Sequence, residues 1–252
     1  MTATTAGRCV RLATVTAGVA VIISTALPAA AQDISLNFGQ GAGLTERAIQ
    51  LIALLTVLSL APSILVMVTS FTRIVVVLSL LRTALGTATA PPNAVIISLA
   101  LFLTAFVMGP AFQNAYDAGI RPLINNEISV EQAFERSSEP FRAFMIKNVR
   151  DKDLQLFIDI AKEPRPEKPE DVSLRILVPA FMISELKRAF EIGFLLFLPF
   201  LIIDLVVASV LMSMGMMMLP PVVVSLPFKL IFFVLVDGWA LVAGSLVQSY
   251  GM

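Results

Sequence analysis

Apolar residues along this chain come in long blocks, separated by one charged stretch and by short breaks rich in proline and glycine. The first block, about Leu12 to Leu27, follows Arg8 and Arg11 and runs into Pro28, Ala29, Ala30 and Ala31 before the polar pair Gln32-Asp33. A basic start, a short apolar middle and a small-x-small end are the parts of a secretory signal peptide, with cleavage after Ala31. An uncleaved anchor helix is the competing reading. The Thr, Ser and Gly of the run lower its hydropathy, which favours cleavage of residues 1–31 and a mature start outside the cytoplasm.

Residues 32–47, with Gly39 to Gly43 among them, read as a linker. An apolar stretch from about Ala48 to Val68 follows, long enough for the roughly 20 residues of a bilayer crossing. Pro62 is expected to kink it. Ile74 to Leu81, beyond Thr69-Ser70-Phe71-Thr72-Arg73, is too short to cross alone and reads as a helical continuation or an interfacial loop. Pro91-Pro92-Asn93 breaks the chain before a second stretch, about Ala94 to Phe112. A third, about Ile192 to Leu211, contains Pro199; a methionine-rich turn and Pro220-Pro221 lead to a fourth, about Ser225 to Val247. The pattern predicts two membrane hairpins, residues 48–112 and 192–252.

Between them, residues 113–191 are amphipathic and mixed in charge. Phe134, Phe141, Phe144, Met145 and Val149 recur near helical spacing, as do Leu154, Phe157, Ile158 and Ala161. Pro164, Pro166 and Pro169 among charges mark an exposed linker. Pro179 opens a run in which Glu185 and Arg188 stand i,i+3 and Lys187 and Glu191 i,i+4, spacings that let opposite charges meet on one helix. Arg73 and Arg82 are the charges between the first two spans, with no acid beside them, which places that loop in the cytoplasm and residues 113–191 outside. The fold class is an all-α membrane protein: helical hairpins with a small helical external (periplasmic) domain.

Composition agrees with lipid as the surroundings. Of 252 residues 57% are hydrophobic and 14% charged, with a mean hydropathy of +0.87, above the roughly 45–50% apolar content of soluble domains. The 18 basic and 18 acidic side chains cancel, so net charge gives no reason to expect nucleic acid. There is no histidine, and Cys9 lies in the segment expected to be removed, which excludes disulfide, zinc and Cys/His chemistry. Neither a Gly-x-Ser-x-Gly elbow nor a phosphate-cradling glycine loop is present, so the chain is expected to be no enzyme and to hold no cofactor or metal.

Asp204, Lys229 and Asp237 stand in apolar surroundings, where each charge costs roughly 2.5–3.5 kcal/mol near a helix centre on insertion scales. They either form an intersubunit or conduit-lining network, or Lys229 snorkels to the interface while the two aspartates pair within one hairpin. Met212, Met214, Met216, Met217 and Met218 crowd a turn with Gly215. Methionine is flexible and polarizable, so such turns could close around cargo of varying shape, although methionine in an apolar hairpin is more often filler. Phe181, Phe190, Phe194 and Phe197 read as packing.

Leu58-Ser59-Leu60-Ala61-Pro62, Met67-Val68-Thr69-Ser70-Phe71-Thr72-Arg73, Leu81-Arg82, Leu85-Gly86 and Ala90-Pro91-Pro92-Asn93 resemble the N-terminal core of the FliP family. Pro179-Ala180-Phe181-Met182-Ile183-Ser184-Glu185-Leu186, leading to Phe190 and Gly193-Phe194, resembles one signature of that family; Pro227-Phe228-Lys229-Leu230, leading to Asp237-Gly238-Trp239, resembles the other. The resemblance implies a non-enzymatic core subunit of the flagellar type III export gate, in the inner membrane at the flagellar basal body. It implies a homo-oligomer of about five copies joined by FliQ and FliR in a helical, ring-like assembly, other export apparatus proteins as partners, and unfolded flagellar proteins as cargo. It also implies that Met212 to Met218 line the constriction, that Asp204, Lys229, Asp237, Glu185, Lys187 and Arg188 serve buried or intersubunit contacts, and that the assembled hairpins are raised toward the periplasm. The alternative is a small ion-coupled membrane transporter using Asp204 and Asp237.

Overall fold

The computed structural model describes residues 44–87, 89–162, 171–216 and 218–251. The expected signal peptide, the glycine-rich part of the linker, most of the proline-rich stretch at 163–170 and Met217 lie outside the described residues. The chain divides into two compact units, Met1–Leu55 and Thr56–Met252. Of the first, the described part is the opening of helix α1, Leu44–Val68, which starts inside the segment read as linker.

In the second unit, α1 ends at Val68, and α2 (Phe71–Leu85) starts after the turn at Thr69-Ser70. Ile74, Val77, Leu78, Leu81, Ala84 and Leu85 recur every three or four residues along α2 and are all buried, so this run is a core helix and not an interfacial loop. Gly86 ends it in a left-handed turn at φ 78°, its N–H bonded to Thr83 O at 3.0 Å. Helix α3 (Asn93–Ala115) begins directly after Pro92 and continues through a wide π turn, Tyr116–Ile120, into α4 (Arg121–Ile124). The apolar rod therefore reaches Ile124, about three turns past the expected end at Phe112.

Helix α5 (Val130–Asn148) opens on a capping box: Ser129 Oγ accepts the Gln132 N–H and Gln132 Oε1 the Ser129 N–H, both at 3.3 Å. Helix α6 (Asp151–Ala161) carries Asp151 and Asp153 in its first turn, where the exposed N–H groups favour negative charge. Then comes α7, Leu174–Ser213, one helix of 40 residues that keeps Pro179 and Pro199 inside it. The boundary drawn between residues 191 and 192 falls within this helix, so the end of the charged segment and the third apolar stretch form one continuous element.

Helices α8 (Pro221–Leu235) and α9 (Gly238–Gln248) divide the fourth stretch, meeting at a bend of 63°. Asp237 makes the bend at φ 50°, and Gly238 follows because a Cβ there would fall 2.2 Å from the Phe233 ring. Among the described residues no strand occurs. Asn93–Ile124 and Leu174–Ser213 are long and apolar enough to cross a membrane, and the α8–α9 pair becomes a further candidate if it counts as one bent span.

Two apolar clusters hold the unit together. One gathers α2 with parts of α3, α7, α8 and α9, through residues such as Ile74, Leu81, Ala100, Phe200, Phe233 and Leu246. The other joins α5, α6 and the start of α7 through Met145, Ile158, Val172, Leu177 and Phe181. Where α2 crosses α7, Gly193 lets the helices close up: a Cβ there would lie 2.3 Å from Leu80 Cδ1. Since α7 contributes to both clusters, it ties the α5–α6 cluster to the apolar helices.

Candidate functional site

The distinctive chemistry of this chain is charge held inside apolar packing, and it gathers at three places along α7. The first is at Glu185, about one turn after Ala180 and Phe181, which seat α7 on the α5–α6 cluster. Glu185 and Arg73 of α2 are both completely buried and form a two-pronged ion pair, Arg73 Nη2 to Glu185 Oε1 and Arg73 Nε to Glu185 Oε2 at 2.9 Å. The remaining guanidinium nitrogen, Nη1, donates to Ser249 Oγ at 3.0 Å and lies 3.4 Å from Ser249 O. Tyr250 covers the pair, its ring centroid 3.9 Å from Arg73 Cζ and its hydroxyl donating to Glu185 Oε2 at 2.6 Å. Burial, with the Glu185 carboxylate beside it, pushes the Tyr250 hydroxyl far above its ordinary value, so it remains a donor.

A lone buried charge would be very unfavourable, whereas a pair with its remaining hydrogen bonds filled is tolerated. That condition is met here by residues from α2, α7 and the turn after α9. Sequence reasoning paired Glu185 with Arg188; the carboxylate instead faces inward to Arg73, and Arg188 lies at the half-exposed edge of the helix. Arg73, read as a charge of the loop between the first two spans, is a wholly buried residue of helix α2. Lys187 and Glu191 do stand together, 3.8 Å apart on the exposed face of α7.

Next to this pair, Ser184 links α7 to α6. Its hydroxyl is 2.7 Å from Asp153 Oδ2 and 2.9 Å from Ala180 O, and it accepts the Arg150 N–H at 3.1 Å. Arg150 closes on Asp153 through Nε and Nη2, each at 2.7 Å. Burial would raise the Asp153 carboxyl, but the Ser184 hydroxyl and the Arg150 guanidinium outweigh it and hold the group below its usual value.

The third place is Asp204, five turns further along α7. Lys229 of α8 is buried and its Nζ donates to Asp204 Oδ2 at 2.7 Å and to Ala84 O at 3.2 Å. Ser225, one turn earlier on α8, gives Asp204 Oδ1 a hydroxyl at 2.6 Å. A cation at Ala84 also meets the carbonyl end of α2, where helix geometry favours positive charge. Lys229 thus reaches inward to α2 and does not snorkel. Asp237 is not part of this group: it is exposed at the α8–α9 bend. Sequence reasoning picked out Asp204 and Lys229 but missed Ser225, Arg73, Tyr250, Ser184 and Asp153.

Beyond Ser213, α7 ends in the methionine turn, where Gly215 takes φ 73°. Met212, Met214 and Met216 are exposed and Met218 is 99% exposed, so these thioethers do not fill the core of the chain that carries them. Among the described residues no group of His, Cys, Asp and Glu could hold a metal ion.

Comparison with known proteins covers all of these positions but Tyr250 and Ser249 by family pattern: the model described as "FliP family" matches residues 54–246. The flagellar biosynthetic protein FliP of Caulobacter vibrioides is 62% identical over 243 residues, 95% of this chain and 91% of that protein. The protein of the same name from Bacillus subtilis is 57% identical over 202 residues, covering 80% and 91%. That of Aquifex aeolicus is 54% identical over 219 residues, covering 86% and 91%.

Proposed function

This chain belongs to the FliP family, and from that premise we propose that it is a core subunit of the flagellar type III protein export gate, a non-enzymatic channel component through which unfolded flagellar proteins leave the cell. The observation that carries this reading is the match over residues 54–246, which takes in the ion pairs along α7 and the methionine turn. In this reading several copies assemble with FliQ and FliR in the inner membrane at the basal body.

Two structural features support it. Helices α3, α7 and α8 expose large apolar side chains such as Phe102, Phe194, Ile202 and Val223 over much of their length, surface that neighbouring subunits or lipid must cover. The methionine turn leaves Met212, Met214, Met216 and Met218 exposed, available to contact other chains. Met212, Met214, Met216, Met217 and Met218 would then close around a passing chain and shut behind it, since a thioether adapts its shape without needing hydrogen bonds. The carrier reading asks Asp204 and Asp237 to bind protons or cations near the midplane; Asp204 is engaged by Lys229 and Ser225, and Asp237 lies at a different, exposed position.

A strain lacking the gene is expected to secrete no flagellar subunits and to grow no filament, with both restored by this chain supplied in trans. Normal filaments in the deletion strain would overturn the proposal. Replacing Met214, Met216, Met217 and Met218 together by Ala is expected to leave the high-mass complex intact on blue-native gels while small solutes leak through. Unchanged permeability in that variant would remove the seal from the proposal.

A further inference from the structure

Helices α8 and α9 meet α2 through polar contacts near both of its ends. Toward the end of α2, Lys229 Nζ donates to Ala84 O at 3.2 Å. Toward its start, Arg73 Nη1 donates to Ser249 Oγ at 3.0 Å, and the Tyr250 hydroxyl sits 2.6 Å from Glu185 Oε2 and 3.4 Å from Ser70 O. The Tyr250 ring also stacks on Phe144 of α5, centroids 5.7 Å apart at 25°, so one side chain touches α2, α5 and α7 together. Between the two ends, Val242 and Leu246 of α9 join the apolar cluster of Ile74 and Val77.

The joint between α8 and α9 is of a different character. Asp237 holds φ 50° there, in the left-handed region that aspartate enters more readily than most residues with a side chain, so the chain turns at a single position between two helices. The side chain makes no cap bond to α9.

We infer that Ser249 and Tyr250 form a clasp that pins α9 to the start of α2, and that opening it lets α9 swing about the Asp237 bend while Lys229 keeps α8 in place. Tyr250 is a positioning residue in this device. Its hydroxyl gives Glu185 Oε2 a donor besides Arg73 Nε, and Ser249 takes the guanidinium N–H that Glu185 does not reach. Without the clasp the buried pair is left with unfilled hydrogen bonds, and α9 keeps only its apolar contacts. The inference does not depend on the export reading and concerns how the chain itself can move.

The test uses the full chain in detergent micelles with Cys9→Ser as background. Leu246→Cys reports on α9 and, in a separate protein, Leu81→Cys reports on α2; both positions are buried, at 0% and 1% exposure. Maleimide labelling of both is expected to be slow in the parent. Tyr250→Ala is expected to speed labelling at position 246 roughly tenfold, as loss of a hydrogen bond to a charged group would, with position 81 unchanged. Tyr250→Phe, which retains the ring over Arg73 and against Phe144, is expected to give a smaller rise at 246 alone. Equal acceleration at both positions, or none at 246, would overturn the clasp. Should Tyr250→Ala not accumulate, the Tyr250→Phe comparison between the two positions decides by the same outcomes.

Discussion

At Asp153 two opposed effects meet, and the outcome sets a pH dependence. Burial disfavours the carboxylate, yet Ser184 and Arg150 hold it below the ordinary 3.8. A carboxyl depressed in the folded chain contributes stability that is present above its unfolded value and is lost as pH falls through the lower folded value. The α6–α7 contact is therefore expected to persist to about pH 3.8 and to loosen below it, read as pepsin cleavage within α6. Ser184→Ala removes one of the lowering partners, so loosening is expected to begin at higher pH, with a loss of about 1–2 kcal/mol at neutral pH. A cleavage profile identical to the parent would contradict this. Glu185 is the more severe position. Glu185→Gln leaves Arg73 buried without its counter-charge, and breaking such a pair typically costs 3–5 kcal/mol, measurable as a lower melting temperature of the purified chain. Sequence alone could not show this pairing, because Arg73 and Glu185 are 112 positions apart and charge spacing along a helix detects only neighbours. Arg73 did carry a signal of its own: a single cation entering the apolar run Ile74 to Leu81, which the positive-inside rule read only as a mark of the cytoplasmic side.

On the scale of helices, hydropathy located the apolar rods well and their limits less well. The run at Ile74 to Leu81 is too short to span, yet its three-and-four spacing is that of a helix buried against others, and α2 fills that role. The length of α7 was hidden because Glu185, Lys187, Arg188 and Glu191 break its hydropathy without breaking its helix; their backbone is as helical as that of the leucines after them. The α8–α9 bend was hidden for the opposite reason, since apolar residues continue through it while the backbone turns at Asp237. Close approach of α2 and α7 at Gly193 yields a prediction on this scale. Gly193→Ala places a methyl against the end of the Leu80 side chain, a contact relieved only if that side chain moves, and overpacking of this kind costs about 1–3 kcal/mol. Leu80→Ala in the same chain is expected to recover part of the loss, because it removes the atom that collides. Melting temperatures of the two single variants and the double variant provide the check, and strict additivity would show that the collision is not what destabilises the chain.

The molecule as a whole carries more apolar surface than its own core can use. A helix of 40 residues is about 60 Å long, twice the roughly 30 Å of hydrocarbon in a bilayer, and just 11% of the α7 span window is buried within the chain. Lipid alone cannot cover such a helix along its full length, so part of it lies outside the hydrocarbon, against water, the chain's own helices or other protein. Hydropathy reads the amount of such surface and is blind to whether acyl chains or a sister subunit will lie against it, since both are equally apolar. The two cases respond differently to a long cation. On a lipid-facing position Lys extends toward the headgroups and is tolerated near the ends of a span; within a close-packed interface it has nowhere to extend and separates the partners. Ile202→Lys, at a position 60% exposed on α7, is accordingly expected to leave the amount of chain in the membrane fraction near that of the parent while the high-mass complex on blue-native gels falls severalfold. Leu198→Lys, one turn earlier and 37% exposed, provides a second site for the same comparison. A drop in membrane-inserted chain matching the drop in complex would place these residues against lipid during insertion, and an undiminished complex would mean that this face of α7 meets no sister subunit.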